Sequence, residues 1–192
     1  EDWKRPLKRL TKRLIYCYNV YMIENKEIKR IFLDMDGVLA DFQTGASKLA
    51  GVNITPDSAG HKLYDARKEE LTNKRLFRNL PTMVDMYDLL AYVRHTGIPW
   101  EILTAAGEVN RELCVYDKNE WVREYVDPTI AVTCTFTGSQ KGMYAFEGSV
   151  LIDDRQKNID HWIENGGIGI VHTSAENTIN ELKLLRNGVG GE

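Results

Sequence analysis

Cysteine is scarce in this sequence, and the few thiols are isolated from one another. The 192 residues include three cysteines, Cys17, Cys114 and Cys134, which lie far apart and form no CxxC pair. Neither a disulfide framework nor a zinc site is therefore indicated. Because proteins with unpaired cysteines are typical of reducing compartments, we expect a cytoplasmic setting.

Several other features are lacking as well. No stretch approaches the roughly 20 apolar residues of a membrane-spanning helix and no signal-peptide pattern opens the sequence, so we expect no membrane partner. A GxxxxGK[ST] loop is absent, which argues against a kinase that uses nucleoside triphosphates. The net charge of −3 gives no overall attraction to nucleic acid, and nucleic acid is not an expected partner.

The composition that remains is that of a globular protein. Hydrophobic residues make up 43% and charged residues 28% of the sequence. The length indicates one domain with room for a small insertion.

Residues 1–21 stand apart as a basic amphipathic segment. We predict a helix that packs on the protein's own surface; a helix that binds a partner or forms a homodimer, or that contacts an anionic surface weakly, stays open. The prediction rests on apolar residues at spacings of three and four, namely Trp3, Leu7, Leu10, Leu14, Tyr18 and Tyr21.

The most informative stretch runs from residue 29 to residue 42. Its apolar run, residues 31–33, is typical of a buried parallel strand, and Asp34 and Asp36 follow it. Residues two apart in extended chain point the same way, so both carboxylates can converge just past the strand end. Gly37 permits a sharp turn there.

Two interpretations of this acidic pair are open. The acids could be capping or surface groups, but solvated acids need neither the apolar run nor the glycine turn. We favour a magnesium site with a carboxylate nucleophile, since hard cations take oxygen ligands and Asp can form an aspartyl-phosphate.

The rest of the chain alternates strand and helix patterns, which predicts an α/β fold with a three-layer α/β/α core and a parallel sheet. Further strands are predicted at 100–103, 130–136, 150–152 and 168–171, and helices at 85–95, 109–125, 159–164 and from about residue 175.

Residues 43–80 interrupt the alternation and are predicted to form a small, mostly helical cap, with a loop at 52–60 and a helix at 68–76. The core would then comprise residues 22–42 and 81–192. For the helix at 109–125 we predict a buried side of Leu113, Tyr116, Trp121, Val122 and Tyr125.

Polar groups also follow the later strands. Thr104 and the backbone N–H groups from Ala105 onward could hydrogen-bond a phosphoryl group, although a threonine at a strand end is also a common turn residue. Lys141 follows the third strand and could be a solvated surface charge or a cationic clamp. Asp153 and Asp154 end the strand at 150–152 and offer further oxygen ligands.

In this order the motifs resemble those of the haloacid dehalogenase (HAD) superfamily of phosphohydrolases. The string 34–38, Asp-Met-Asp-Gly-Val, looks like its first motif, and 34–42 is most similar to the 5′(3′)-deoxyribonucleotidase branch. Thr104 and Lys141 match the second and third motifs, and the string 151–154, Leu-Ile-Asp-Asp, is similar to the fourth.

The resemblance implies a mechanism and a cofactor. Asp34 would be the nucleophile and Asp36 the general acid and base. Thr104 and Lys141 would stabilise the transferring phosphoryl group. Mg²⁺ would be held by Asp34, the Asp36 carbonyl and Asp153, with Asp154 as an outer or alternate ligand, a choice that the sequence leaves open.

The implied substrate is a small phosphate ester, in the first place a (deoxy)nucleoside monophosphate. Other phosphate esters, a nucleic-acid terminal phosphate, or an inactive binding module of the same fold are the alternatives. His172 follows the last strand and is interpreted as structural. The candidate substrate-binding residues, which could equally be cap core, are Phe42, Tyr64, Phe77 and Arg78, together with Ala105 at the phosphate.

Overall fold

Five short parallel strands form the centre of the fold. They pair in the order β3-β2-β1-β4-β5. The computed structural model describes residues 27–187, so the helix predicted for residues 1–21 lies outside the described part of the chain. The strands, all at predicted places, are β1 (Arg30–Leu33), β2 (Trp100–Ala105), β3 (Val132–Thr135), β4 (Ser149–Asp153) and β5 (Ile168–Val171).

Within residues 27–187 there are six α-helices and one 3₁₀ helix, Gly138–Tyr144; the last α-helix follows β5 and the others lie between strands. None of them is both long and apolar enough to cross a membrane. The helices are α1 (Phe42–Ala50), α2 (Ser58–Asn73), α3 (Met86–His95), α4 (Arg111–Tyr125), α5 (Gln156–Glu164) and α6 (Ala175–Asn187).

Helices α1 and α2 lie between β1 and α3, where a cap was predicted; that they form a separate domain stays a prediction. The predicted bounds of the second helix were wrong, since α2 begins at Ser58 rather than near residue 68. The reason is an N-cap that was not recognised. The Asp57 side chain accepts hydrogen bonds from the backbone N–H groups of Ala59 and Gly60, which satisfies donors that the first turn would otherwise leave free.

Alternation of side chains along the strands gives the sheet two buried faces. On one face Phe32, Leu103 and Leu151 pack with Trp162 of α5; the Phe32 and Trp162 rings meet edge to face with centroids 5.1 Å apart. The other face contributes to a larger cluster that includes residues of α3, α4 and α6. The result is the predicted three-layer α/β/α fold with a parallel sheet.

The predicted buried side of α4 was wrong at Tyr116, which is 56% exposed. The buried stripe instead runs through Cys114, Lys118, Trp121 and Val122. Lys118 occupies the place expected for an apolar residue because its ammonium group finds acceptors inside the protein, as described below.

The strand order creates a topological switch point between β1 and β4, in the middle of the sheet. From β1 the chain runs outward through β2 and β3, then returns to form β4 on the other side of β1. The crevice at the carboxyl ends of β1 and β4 is where open α/β sheets bind ligands. The acids that follow β1 and β4 lie at these carboxyl ends, which are called the edge of the sheet below.

Truncation of a buried leucine in a helix tests how much the stability of the protein depends on contacts in the hydrophobic core. Leu90 of α3 is fully buried, whereas Leu184 of α6 is 72% exposed. We expect Leu90→Ala to lower the free energy of unfolding by about 2–5 kcal/mol through lost burial and the cavity left behind. Urea unfolding measures the change. The matched substitution Leu184→Ala should stay within about 0.5 kcal/mol of the parent, and equal losses in both variants would contradict this packing.

Candidate active site

Asp34 directly continues β1. Its backbone N–H donates to the carbonyl of Ile152 in β4 at 2.9 Å, so the pairing of the two strands extends to the acid. The side chain is almost fully buried, and its Oδ1 accepts a hydrogen bond from the Met35 backbone N–H at 2.7 Å. These contacts hold the carboxylate in one orientation at the end of the strand.

A tight turn follows, and Gly37 makes it possible. Gly37 has φ of 80°, in the left-handed region that favours glycine. A Cβ at this position would collide with the Asp154 carboxylate. The missing side chain therefore allows the turn after β1 to lie directly against the acid that follows β4.

Three carboxylates meet at this edge. One oxygen each of Asp34, Asp153 and Asp154 lies within 4.8 Å of the others. Oxygen donors at such spacing suit a hard divalent cation. The carboxylate of Asp36 is not part of the group, so a contribution of Asp36 to a metal site would have to come from its main-chain carbonyl, as the motif resemblance implied.

Lys141 joins two of these acids from the 3₁₀ helix. Its Nζ lies 2.8 Å from Asp34 Oδ2 and 2.6 Å from Asp153 Oδ2, and the side chain is 1% exposed. Burial alone would lower the pKa of Lys141, but the charges of Asp34 and Asp153 raise it above the usual value. Burial likewise opposes ionisation of Asp34, yet the ammonium groups of Lys141 and Lys118 lower the pKa of Asp34.

The neighbouring acids Asp153 and Asp154 have different surroundings. Both oxygens of the fully buried Asp153 are engaged, by Lys141, by Asn158 Nδ2 at 2.9 and 3.0 Å, and by the Arg155 backbone N–H at 2.9 Å. Asp154 has an exposed edge and, within residues 27–187, accepts no hydrogen bond. Partial burial and the charges of Asp34 and Asp153 raise the pKa of Asp154 to about 7.

Asp36 and Thr104 are linked by Lys118, a residue to which the sequence analysis assigned no role. Lys118 Nζ donates to Asp36 Oδ2 at 2.6 Å and to Thr104 Oγ1 at 2.9 Å. Asn158, the partner of Asp153, was missed as well. The available signal for Lys118 was its position three residues before Trp121, which places it on the buried side of α4.

Of the predicted substrate-binding residues, Phe42 and Phe77 lie side by side, with their rings stacked at a centroid distance of 6.3 Å. Phe42 is half-buried and meets Tyr64 edge to face at 4.9 Å, whereas Phe77 is 4% exposed and belongs to the hydrophobic core. Arg78 pairs with Glu124 of α4 rather than with the acids of the site. Ala105 ends β2 next to Thr104 and is half-buried.

His172 has the surroundings of a structural residue. Its side chain is buried, with Nδ1 2.9 Å from Thr178 Oγ1. Its backbone N–H donates to the Asp153 carbonyl and so extends the pairing of β5 with β4. Burial lowers the pKa of His172, which favours the neutral ring.

Several known structures are similar to this chain. A haloacid dehalogenase-like family hydrolase from Streptococcus pneumoniae is 16% identical, with a TM-score of 0.52 over 80% of this chain and 90% of that chain. A hydrolase from Streptococcus pneumoniae TIGR4 is 16% identical, with a TM-score of 0.48 over 82% and 99% of the two chains. D,D-heptose 1,7-bisphosphate phosphatase from Burkholderia thailandensis is 10% identical, with a TM-score of 0.45 over 81% and 98%.

No protein-family model matches the chain, and comparison with curated proteins gives no match. At these identities the structural likeness establishes the fold. The chain has the Rossmann-like α/β fold of the HAD-like hydrolases, as the motifs predicted.

Gly37→Ala tests whether the close approach of the turn to Asp154 matters for a metal site. Gly51 offers a matched control, because it also has a positive φ, 68°, but has no atom within 4 Å of the place that a Cβ would take. Both substitutions should cost about 1 kcal/mol of stability through backbone strain. We expect Gly37→Ala alone to weaken Mg²⁺ binding, measured by isothermal titration calorimetry, because the new methyl group displaces Asp154. Equal Mg²⁺ affinities in the two variants would contradict a metal site that includes Asp154.

Proposed function

We propose that this chain is a Mg²⁺-dependent phosphomonoesterase of the HAD superfamily. The observation that carries the proposal is the environment of Asp34. Its carboxylate is buried, is held by the Met35 N–H, lies 2.8 Å from the Lys141 ammonium, and shares the strand edge with two more carboxylates. An ionised carboxylate beside a cationic clamp is suited to attack phosphorus.

The reaction would proceed in two displacements. In the first, an oxygen of Asp34 bonds to phosphorus, the ester P–O bond breaks, and Asp36 gives its proton to the leaving oxygen. In the second, water attacks the aspartyl-phosphate, Asp36 takes a proton from that water, and phosphate leaves with Asp34 restored. Lys141 offsets the charge of the phosphoryl oxygens in both steps.

The donor set fits a divalent cation. Oxygens of three carboxylates, those of Asp34, Asp153 and Asp154, lie within 4.8 Å of one another, and the Lys141 ammonium contacts the first two. Mg²⁺ would be held by Asp34, Asp154 and the Asp36 carbonyl, and it would supply the positive charge that allows a phosphate dianion to approach.

Asp154 rather than Asp153 is the better candidate for the direct ligand. The oxygens of Asp153 are already bonded to Lys141, Asn158 and the Arg155 N–H, so Asp153 is suited to position the lysine. This assignment reverses the preference expressed from the sequence. Asp154 is free to bind a cation because its carboxylate has no such partners within the described residues.

For the substrate we propose a small phosphate ester, in the first place a (deoxy)nucleoside monophosphate. Support comes from Phe42 and Tyr64, two half-buried rings that could stack on a planar base. Tyr64 lies close enough to the site for burial and the Asp36 charge to raise the pKa of its phenol. Phe77 and Arg78 are not proposed as base contacts, since one is buried and the other is paired with Glu124.

Phosphate release from a panel of monophosphates tests the function. We expect turnover of deoxynucleoside monophosphates in the presence of Mg²⁺ and a loss of at least about a thousandfold in Asp34→Asn, because the amide cannot act as nucleophile. Asp88→Asn, the same change at an exposed acid of α3, should retain the parental rate.

The panel also separates the alternatives. A preference for sugar phosphates over nucleotides would indicate that the substrate is a sugar phosphate. A preference for 5′-phosphorylated oligonucleotides would indicate a nucleic-acid terminal phosphate. No turnover of any ester would refute the proposed enzyme and leave a binding module of this fold, whereas parental turnover in Asp34→Asn would refute Asp34 as the nucleophile.

Separate substitutions of the two adjacent acids test their assigned roles. Asp154→Asn should raise the Mg²⁺ concentration for half-maximal activity by at least about tenfold and leave stability nearly unchanged, since the group has no partner among residues 27–187. Asp153→Asn should lower the free energy of unfolding by about 3 kcal/mol, because it breaks a buried ion pair with Lys141. Mg²⁺ titration of activity and urea unfolding without Mg²⁺ measure the two effects. The opposite pattern would restore Asp153 as the direct ligand.

A further inference from the structure

Lys118 brings a second buried ammonium group to the site, from helix α4. Its side chain is 0% exposed, whereas that of Asp36 is 26% exposed. Its Nζ donates hydrogen bonds to Asp36 Oδ2 at 2.6 Å and to Thr104 Oγ1 at 2.9 Å. The ammonium also lies 4.7 Å from the centre of the Phe77 ring, as in a cation–π contact.

The helix that carries Lys118 is held firmly against the end of the α1–α2 segment. Asp117, fully buried, accepts a hydrogen bond from Arg75 Nε at 2.8 Å. Trp121 Nε1 donates to the Leu80 carbonyl at 2.8 Å. These contacts lie on either side of Lys118 along α4, so its ammonium group has a defined position relative to the turn after β1.

The two oxygens of Asp36 differ in their surroundings. Oδ2 is bonded to Lys118, whereas Oδ1 is buried and has no hydrogen-bond partner within the described residues. A buried carboxylate oxygen without a partner is costly, so Oδ1 would gain from a hydrogen-bond partner supplied by a bound ligand. Lys118 therefore leaves one oxygen of Asp36 to act.

We propose that Lys118 is the positioning residue of the general acid and base Asp36: it holds Oδ2, and thereby directs Oδ1 to the leaving oxygen of the phosphate ester. This inference rests on the proposed function. The proton moves from Asp36 Oδ1 to the leaving oxygen and later returns to Asp36 from the attacking water, and Lys118 stays protonated throughout. A direct contact of Lys118 with the phosphoryl group is disfavoured because the ammonium is fully buried behind Asp36 and Thr104.

The test compares two esters of similar shape with different needs for acid assistance. 4-Nitrophenyl phosphate releases a stable anion, whereas benzyl phosphate releases an alkoxide that has to be protonated. In Lys118→Met we expect kcat/KM for benzyl phosphate to fall about a hundredfold and that for 4-nitrophenyl phosphate by less than about tenfold, as for loss of general acid catalysis. Lys118→Gln, which restores an N–H donor, should recover part of the loss for benzyl phosphate.

The ratio of the two kcat/KM values does not depend on the fraction of folded protein, so partial misfolding of a variant would not imitate the result. Arg123→Met is the matched control, since it removes an exposed cation from the same helix, and it should leave both values unchanged. Equal losses for the two esters, or no loss, would overturn the role of Lys118. Inactivity of the parent protein toward both esters would instead refute the proposed function, and the inference with it.

Discussion

The site depends on a balance of buried charge at one edge of the sheet. Asp34 and Asp153 approach each other where β1 and β4 end, and such like charges could not both be buried and ionised without compensation. The Lys141 ammonium lies between them, at 2.8 and 2.6 Å. The Lys118 ammonium compensates the charge of Asp36 in a similar way. Because removing one partner of a buried pair leaves an uncompensated charge, the geometry of the site and the stability of this edge cannot be separated.

The fold creates this balance by bringing distant parts of the chain together. Parallel pairing of β4 with β1 and β2 with β1 aligns the strand ends that carry Asp34, Thr104 and Asp153. The two lysines come from the connections between strands, Lys141 from the 3₁₀ helix after β3 and Lys118 from α4. The strands therefore supply the acids and the hydroxyl, and the connections supply the cations.

The strands and their terminal acids could be predicted because each acid follows an apolar run in the sequence, a local signal. Lys118 could not be predicted in this way. A lysine within a helix is ordinarily solvated, and its partner Asp36 is 82 residues away in the sequence. Tyr116 was likewise predicted on the buried side of the helix, although it is exposed. Buried polar groups are determined by tertiary partners, which periodicity does not reveal.

The adjacent acids Asp153 and Asp154 have different surroundings although they are neighbours in the sequence. Asp153 is the last residue of β4 and is fully buried, and its hydrogen bonds to Asn158 and the Arg155 N–H leave it to hold Lys141. One carboxylate cannot both saturate its oxygens inside the protein and offer one to a cation. Asp154, one residue beyond the strand, has an exposed edge yet lies within 4.8 Å of Asp34, and Gly37 leaves the space that it occupies. The different surroundings of the two acids, one buried against the lysine and one accessible, follow from where the strand ends, and they are the basis of the roles that we propose for them.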